Sequence, residues 1–342
     1  TNITYGLDLL YADYESKRKK NSTAIAKHTY NAWQTTLATY IQKNINLNDK
    51  LSIGAGIRSQ RNSIGIGDFL NTAAPDYANW DVKHLTFLDN QINHAANIGF
   101  ERKIMDLYKV YGRIGNGFRY PNIDDRIGGS GGTSLDLKTQ KTNDIEVGFK
   151  NESEKFSYNI STYVIDGKNE LGYDSDGFVN ININSTRRYG LEFSQNYKFN
   201  EKIKIQSDFT WAEAKYTSEN QGSYATDFKN RDVPLVPQYS LDGKLIWHMN
   251  RFFKLTPSIK YQDGMRMESD DENFQETKIP RHFLTNLSLI NKNDFYDFSL
   301  SIRNIFNEKY HNYAVASSST NGTYNAYPEP GREITISLGF NF

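Results

Sequence analysis

Cysteine is absent from the 342 residues, which removes a disulfide framework, a thiolate metal site and a cysteine nucleophile. No apolar run reaches the roughly eighteen residues that a transmembrane helix needs. That excludes a helical span and leaves open a membrane crossed by strands. Neither sign of charge is in excess: Lys plus Arg and Asp plus Glu each number 40, so the basic surplus of a nucleic-acid binder is missing. No Walker loop or dinucleotide fingerprint occurs. The six histidines, at 28, 84, 94, 248, 282 and 311, show no metal-ligand spacing, so no metal site or cofactor is assigned. The chain opens Thr1-Asn2-Ile3-Thr4-Tyr5 with no initiator Met or signal peptide. Those residues already read as a strand, which suggests a start inside a larger protein.

What is abundant is the aromatic ring. Tyr and Phe number 23 and 20, yet only 37% of residues are hydrophobic, and the mean hydropathy is −0.69. Many rings with little aliphatic bulk suit a wall with one lipid face and one wet face, with rings at the two membrane interfaces, better than a thick two-sided core.

The hydrophobic period is two along nearly the whole chain. Ile334, Ile336, Leu338, Phe340 and Phe342 alternate with Glu333, Thr335, Ser337, Gly339 and Asn341, and Tyr189, Leu191, Phe193 alternate with Gly190, Glu192, Ser194. Alternation predicts fourteen strands centred on 3-14, 29-43, 50-60, 86-100, 104-115, 140-151, 155-168, 178-199, 202-216, 238-249, 252-262, 282-291, 295-305 and 331-342. Short turns rich in Asn, Asp, Lys and Glu alternate with long polar loops at 15-28, 61-85, 116-139, 169-177, 217-237, 263-281 and 306-330. Short turns at one end and long loops at the other are the habit of outer-membrane barrels. Trp33, Tyr40, Phe100, Phe149, Phe199, Trp211, Trp247, Phe253, Phe295 and Tyr296 lie near expected strand ends, where rings suit the headgroup level. Glu146, Glu192, Lys198, Lys244, Lys260 and Arg303 are expected on the lumen face.

Near the C-terminus stands Asn304-Ile305-Phe306-Asn307-Glu308-Lys309-Tyr310, followed by Pro330-Gly331-Arg332 and a strand ending in Phe342. Earlier come Gly117-Phe118-Arg119-Tyr120-Pro121-Asn122, Leu137 to Gly148, Arg188-Tyr189-Gly190-Leu191-Glu192 and Val233-Pro234-Leu235-Val236-Pro237. In this order they resemble the motifs of TonB-dependent outer-membrane receptors. The resemblance implies an all-β transmembrane antiparallel barrel, with residues 1-342 its C-terminal portion, about the last fourteen of twenty-two strands. The N-terminal plug, the TonB box and the first strands would lie outside this sequence.

It further implies a multi-pass protein of a Gram-negative outer membrane that binds a ferric siderophore or similar nutrient and imports it actively. Its partners would be its own N-terminal plug domain, TonB with its inner-membrane partners, outer-membrane lipid and lipopolysaccharide, and the barrel-assembly machinery, for which Phe342 would be the signal. Ferric siderophores are commonly anionic and ringed, so Arg with Tyr is the expected loop chemistry. The candidates are Arg119, Tyr120, Tyr224, Arg231, Arg266, Tyr313, Tyr324 and Tyr327.

Other readings remain. A passive fourteen-stranded channel would fit the even strand number, and haem, cobalamin or carbohydrate receptors share the resemblance; residues 122-146 lack the His usual in the haem branch. A soluble carbohydrate-binding sandwich would treat the charged faces as solvent faces. An outer-membrane hydrolase built from Asp208, His248 and Ser258 requires a geometry that spacing does not supply. Lys17-Arg18-Lys19-Lys20 could meet lipopolysaccharide. The acidic run Glu268 to Glu272, broken by Ser269, lacks the alternation of a calcium loop.

Overall fold

The structure is a computed structural model describing residues 2–75, 85–127, 133–174, 179–183, 185–218, 228–317 and 319–341. Fourteen strands form one antiparallel sheet in chain order. They are β1 (Asn2–Arg18), β2 (His28–Asn48), β3 (Leu51–Leu70), β4 (Leu85–Met105), β5 (Tyr108–Arg119), β6 (Gln140–Glu152), β7 (Phe156–Lys168), β10 (Thr186–Lys198), β11 (Ile203–Tyr216), β12 (Tyr239–His248), β13 (Phe253–Gln262), β14 (His282–Lys292), β15 (Tyr296–Arg303) and β18 (Glu333–Phe340). The remaining pieces sit in the long connections: hairpins β8 (Glu170–Asp174) with β9 (Val179–Ile183) and β16 (His311–Ala316) with β17 (Tyr324–Pro328), and helix α1 (Ile123–Ile127). Among the described residues no pairing joins β1 to β18.

The register carries one face from strand to strand. Glu333, Thr335 and Ser337 of β18 oppose Arg303, Ser301 and Ser299 of β15. The same row parity leads through Ser288 and Thr256 to Lys244, Asp208, Glu192 and, across β7, Glu146. All six charges expected on the lumen side therefore share one face. The opposite face is apolar and open: Ile336 remains 67% exposed, with Ile334, Leu338 and Phe340 beside it. So large an uncovered apolar surface is stable against lipid and not against water.

Six short turns close the other end, and five use the same device. Asn48, Asn151, Asn200, Asn250 and Asn293 each accept a backbone N–H two residues ahead, at 2.7–2.9 Å. An Asn side chain that mimics the turn's own carbonyl fixes a tight reversal. Just above these turns an aromatic ladder crosses the apolar face. Tyr108 stacks on Phe149 (5.8 Å), Phe149 meets Tyr158 (6.0 Å), and Phe156 meets Tyr158 and Tyr197 (5.2 and 5.9 Å), with Phe199 beyond. Of the rings expected near strand ends, Phe149 and Phe199 belong to this ladder. Tyr40 is an exception: its register places it with Gly6, Arg58 and the polar face, and its ring covers Gly6, where a Cβ would collide with it.

Three further details depart from the sequence reading. β1 to β4 run well beyond their expected ends. Residues 61–70, assigned to a loop for their Gly and polar content, continue β3 because Ile64 and Ile66 find an apolar partner on the inner side. The stretch 178–199 is not one strand: residues 179–183 turn back on β8, and the sheet resumes at Thr186. Finally, the connection after Arg303 holds β16 and β17 instead of an irregular loop.

Candidate functional site

The long connections gather in two assemblies at one end of the sheet. In the first, the segment after β5 folds back across the polar face. Asn122 and Asp125 cap α1 reciprocally: the Asp125 N–H donates to Asn122 Oδ1 (2.7 Å) and the Asn122 N–H to Asp125 Oδ2 (2.9 Å). Ile123 and Ile127 then pack on Tyr30, Ala32, Ile64 and Ile66. Arg126 is 2% exposed. It donates to Asp89 (2.9 Å) and to the Leu135 carbonyl and lies over the Phe87 ring at 5.0 Å. Hairpin β8–β9 joins this group through Asn180, which donates to the Asp125 carbonyl (2.8 Å), and Asn182, which accepts from the Lys138 N–H (2.7 Å). Burial pushes the Glu170 carboxyl up, but Arg188, donating to it at 2.7 Å, and Thr186 outweigh that and hold it below its ordinary range. Two clefts of about 400 and 330 Å³ flank this assembly and share Asp136, Leu137, Lys138 and Asn169.

The second assembly has its own small core of Met265, Met267, Ile279, Ala314 and Ala316, with Leu235 against it. Gln275, 1% exposed, ties its parts together by donating to the Ser317 and Thr320 carbonyls (2.6 and 3.0 Å) and accepting from the Gly322 N–H (2.7 Å). Asn273 joins the neighbouring loop by donating to the Asp232 carbonyl and accepting from the Asp232 N–H. Burial, with Glu268 and Asp270 nearby, pushes the Asp271 carboxyl above its usual range while it accepts from the Tyr216 hydroxyl. Burial, and next the Glu268 carboxylate, push the Tyr313 phenol up to about 12.

The residues expected to bind ligand divide between these assemblies. Arg119 and Tyr120 belong to the first. Arg119 reaches both oxygens of Asp125 at 3.1 Å, and Tyr120 is buried with its hydroxyl donated to the Gln60 carbonyl at 2.7 Å. Arg231, Arg266, Tyr313, Tyr324 and Tyr327 belong to the second. Arg266 is engaged by Asp270 (3.1 Å) and the Gln275 carbonyl (2.6 Å), whereas Tyr313 and Tyr327 pair on β16 and β17, their centroids 5.2 Å apart, and stay open. Tyr224 and Phe342 lie outside the described residues. In the basic run, Arg18 ends β1 and donates to the Ile127 carbonyl at 2.9 Å. In the acidic run, Asp270 accepts the Gln275 N–H at 3.0 Å and holds Arg266.

The hydrolase arrangement is not assembled. Asp208 opposes Asp242, and His248 stands six residues further along β12, about 20 Å at the rise of a strand. Ser258 meets Asn286 instead. Sequence reasoning looked for binding groups in the loops and missed a cavity on the inner wall beneath them, whose lining the strand register brings together; period two alone could have pointed to that face.

A single antiparallel sheet with an apolar outer face, a charged inner face, a ring belt and all its long connections at one end is the wall of a transmembrane β-barrel. The family model described as TonB dependent receptor-like, beta-barrel matches residues 2–307, and the chain belongs to that family. Solved structures agree in fold. The ferric-catecholate import receptor Fiu of E. coli K12 superposes in its closed form with a TM-score of 0.77 at 15% identity, over 99% of this chain and 52% of that one. The ferric yersiniabactin uptake receptor FyuA of Yersinia pestis gives 0.74 at 15%, over 98% and 50%. The copper transporter OprC gives 0.76 at 15%, over 99% and 54%. The chain thus spans about half the length of the receptors it matches.

Proposed function

We propose that this chain is the barrel part of an outer-membrane receptor that binds a ferric siderophore and imports it by TonB-dependent active transport. The observation that carries the reading is membership of the receptor family over residues 2–307. In this reading residues 1-342 form one domain, about the last fourteen of twenty-two strands, and the sheet lies in outer-membrane lipid with its long connections toward lipopolysaccharide.

The ligand is captured at the long-loop end, where rigidly supported loops carry binding groups. Tyr313, Tyr324 and Tyr327 offer open rings, and Arg231 and Tyr224 are the further contacts of this reading. Arg266 supports it through Asp270 and the Gln275 carbonyl, while Arg119 and Tyr120 fix the loop of the first assembly. An N-terminal plug reports occupancy, and TonB with its inner-membrane partners draws on the proton-motive force to displace it. Phe342 serves the barrel-assembly machinery. A passive pore closed by these strands alone would require β1 to pair with β18, a pair not present among the described residues.

The test is growth of the source bacterium under iron limitation with and without the intact gene, with ferric siderophores, haem and cobalamin supplied singly. Loss of growth on one ferric siderophore alone is the expected result. Unchanged growth on every iron source would overturn the reading.

A further inference from the structure

Hairpin β16–β17 places two tyrosines side by side. Tyr313 and Tyr327 are directly opposed in its register, next to the irregularity between His311 and Tyr313. Their rings meet at 5.2 Å between centroids with 51° between the planes, within the reach of an opposed cross-strand pair. Of the 23 tyrosines in the sequence, these two make the one ring contact between tyrosines among the described residues. Elsewhere a tyrosine meets another kind of ring, as Tyr158 meets Phe193 and Tyr324 meets His311.

The pair is both held and open. Ala314 and Ala316 of the same strand are buried in the core of the second assembly. The Glu268 N–H donates to the Ala314 carbonyl and the Ala316 N–H to the Glu268 carbonyl, both at 2.9 Å, so the backbone beneath Tyr313 is fixed. Tyr313 and Tyr327 are nevertheless 38% and 57% exposed, and a reagent in water reaches both rings, whereas Tyr30 and Tyr216 are closed to it. A third group stands at the pair: the Tyr313 hydroxyl donates to the Glu268 carboxylate.

A phenol is oxidised one electron at a time, and its proton becomes strongly acidic as the electron leaves. A carboxylate already bonded to that proton takes it without rearrangement. Two phenoxyl radicals formed on adjacent, fixed positions meet at a local concentration that separate molecules do not reach.

We infer that Tyr313 and Tyr327 are an oxidative cross-linking site, joined as dityrosine by a one-electron oxidant driven by peroxide, with Glu268 receiving the Tyr313 proton. Each phenol gives up one electron and one proton, and one hydrogen peroxide takes up both electrons and both protons to become two waters. A carbon-carbon bond forms between the two rings at the positions beside the oxygen-bearing carbons. The hydrogen on each coupled carbon then moves to the oxygen, which restores both phenols and leaves the product two hydrogens lighter than the parent. The bond staples β16 to β17 in a sequence that has no cysteine for the purpose, and it forms whichever nutrient the receptor imports.

The experiment treats the full-length protein in detergent with hydrogen peroxide and a haem peroxidase that oxidises phenols. Dityrosine fluorescence is read together with the mass of tryptic peptide 310–332, which no internal Lys or Arg interrupts. The expected product is that peptide, two hydrogens lighter, with fragments that place the link at 313 and 327. Tyr313→Phe and, separately, Tyr327→Phe are each expected to lower its yield about tenfold or more. Tyr11→Phe removes an exposed ring that has a carboxylate partner, Asp13 at 2.7 Å, but no second tyrosine, and is expected to leave the yield unchanged. Glu268→Gln is expected to slow the link at neutral pH, with a deficit that shrinks as rising pH ionises the phenol. Equal rates at neutral pH would overturn the role given to Glu268. The inference as a whole falls if no dityrosine forms under conditions that couple free tyrosine, if the link lies elsewhere or only between molecules, or if either single Phe variant keeps the parent yield.

Discussion

Beyond the membrane level the two sides of the sheet are built differently. β1 to β4 are 17, 21, 20 and 21 residues long, and their upper parts stand as sheet with α1 pressed on their inner face. β12 to β15 and β18 are 8 to 11 residues long, and there the connections fold on themselves around Met265, Met267 and Ile279. Both solutions bury the backbone polar groups of long polar connections. The first does so by extending a ladder that already exists, the second by building a small core of its own. The first therefore ties its loop to the wall, and the second leaves Tyr313 and Tyr327 on a hairpin clear of it.

Breaking the tie should separate the two sides. Arg126→Ala removes the cation that meets Asp89 and the Leu135 carbonyl inside the first assembly, and loss of one partner of a buried pair costs about 3–5 kcal/mol. Hydrogen exchange is expected to rise in residues 120–127 and 133–139 and to stay unchanged in 311–316; an equal rise in both would erase the distinction. A charge on the lipid face acts on both sides together. Ile336→Arg is expected to cost about 2–4 kcal/mol and to cut folded yield in the outer membrane, whereas Ser337→Arg, one residue on, is tolerated.

The converse of the first test is Gln275→Ala, which strands the Ser317 and Thr320 carbonyls and the Gly322 N–H. A loss of about 1–3 kcal/mol is expected, seen as faster exchange around 311–317 with 120–127 unaffected. The smallest effect is a pH dependence confined to the second assembly. Because the Tyr313 phenol ionises at about 12 and not at its ordinary 10.0, its protonated form contributes stability that is complete below pH 10 and lost as pH rises toward 12. Tyr313→Phe should remove that slope from an alkaline titration followed by exchange at the hairpin.

Much of this wall could be read from period two. Ile334 to Phe340 identify the outer face of β18, and the Asn residues of the short turns mark where strands reverse, because both signals are local. The upper part of β3 could not be read that way. Ile64-Gly65-Ile66-Gly67 is as compatible with a loop as with a strand until Ile123 and Ile127, some sixty residues on, cover it. Tyr120 and Arg266 had the chemistry of ligand contacts, but the Gln60 carbonyl and Asp270 occupy them, and such pairings depend on how a loop folds back. His282 carried no signal at all, since its burial against Tyr310 appears only when β14 and the connection that follows Arg303 meet.

The most direct test of the central claim, that one face of this sheet meets lipid and the other does not, introduces single cysteines into a stretch of 342 residues that has none. Bimane is attached to Ile336→Cys and, separately, to Ser337→Cys in the full-length protein in membranes containing doxyl-labelled lipid, and quenching is measured. Strong quenching at 336 with little at 337 is the expected result; equal quenching at the two, or the reverse order, would contradict it.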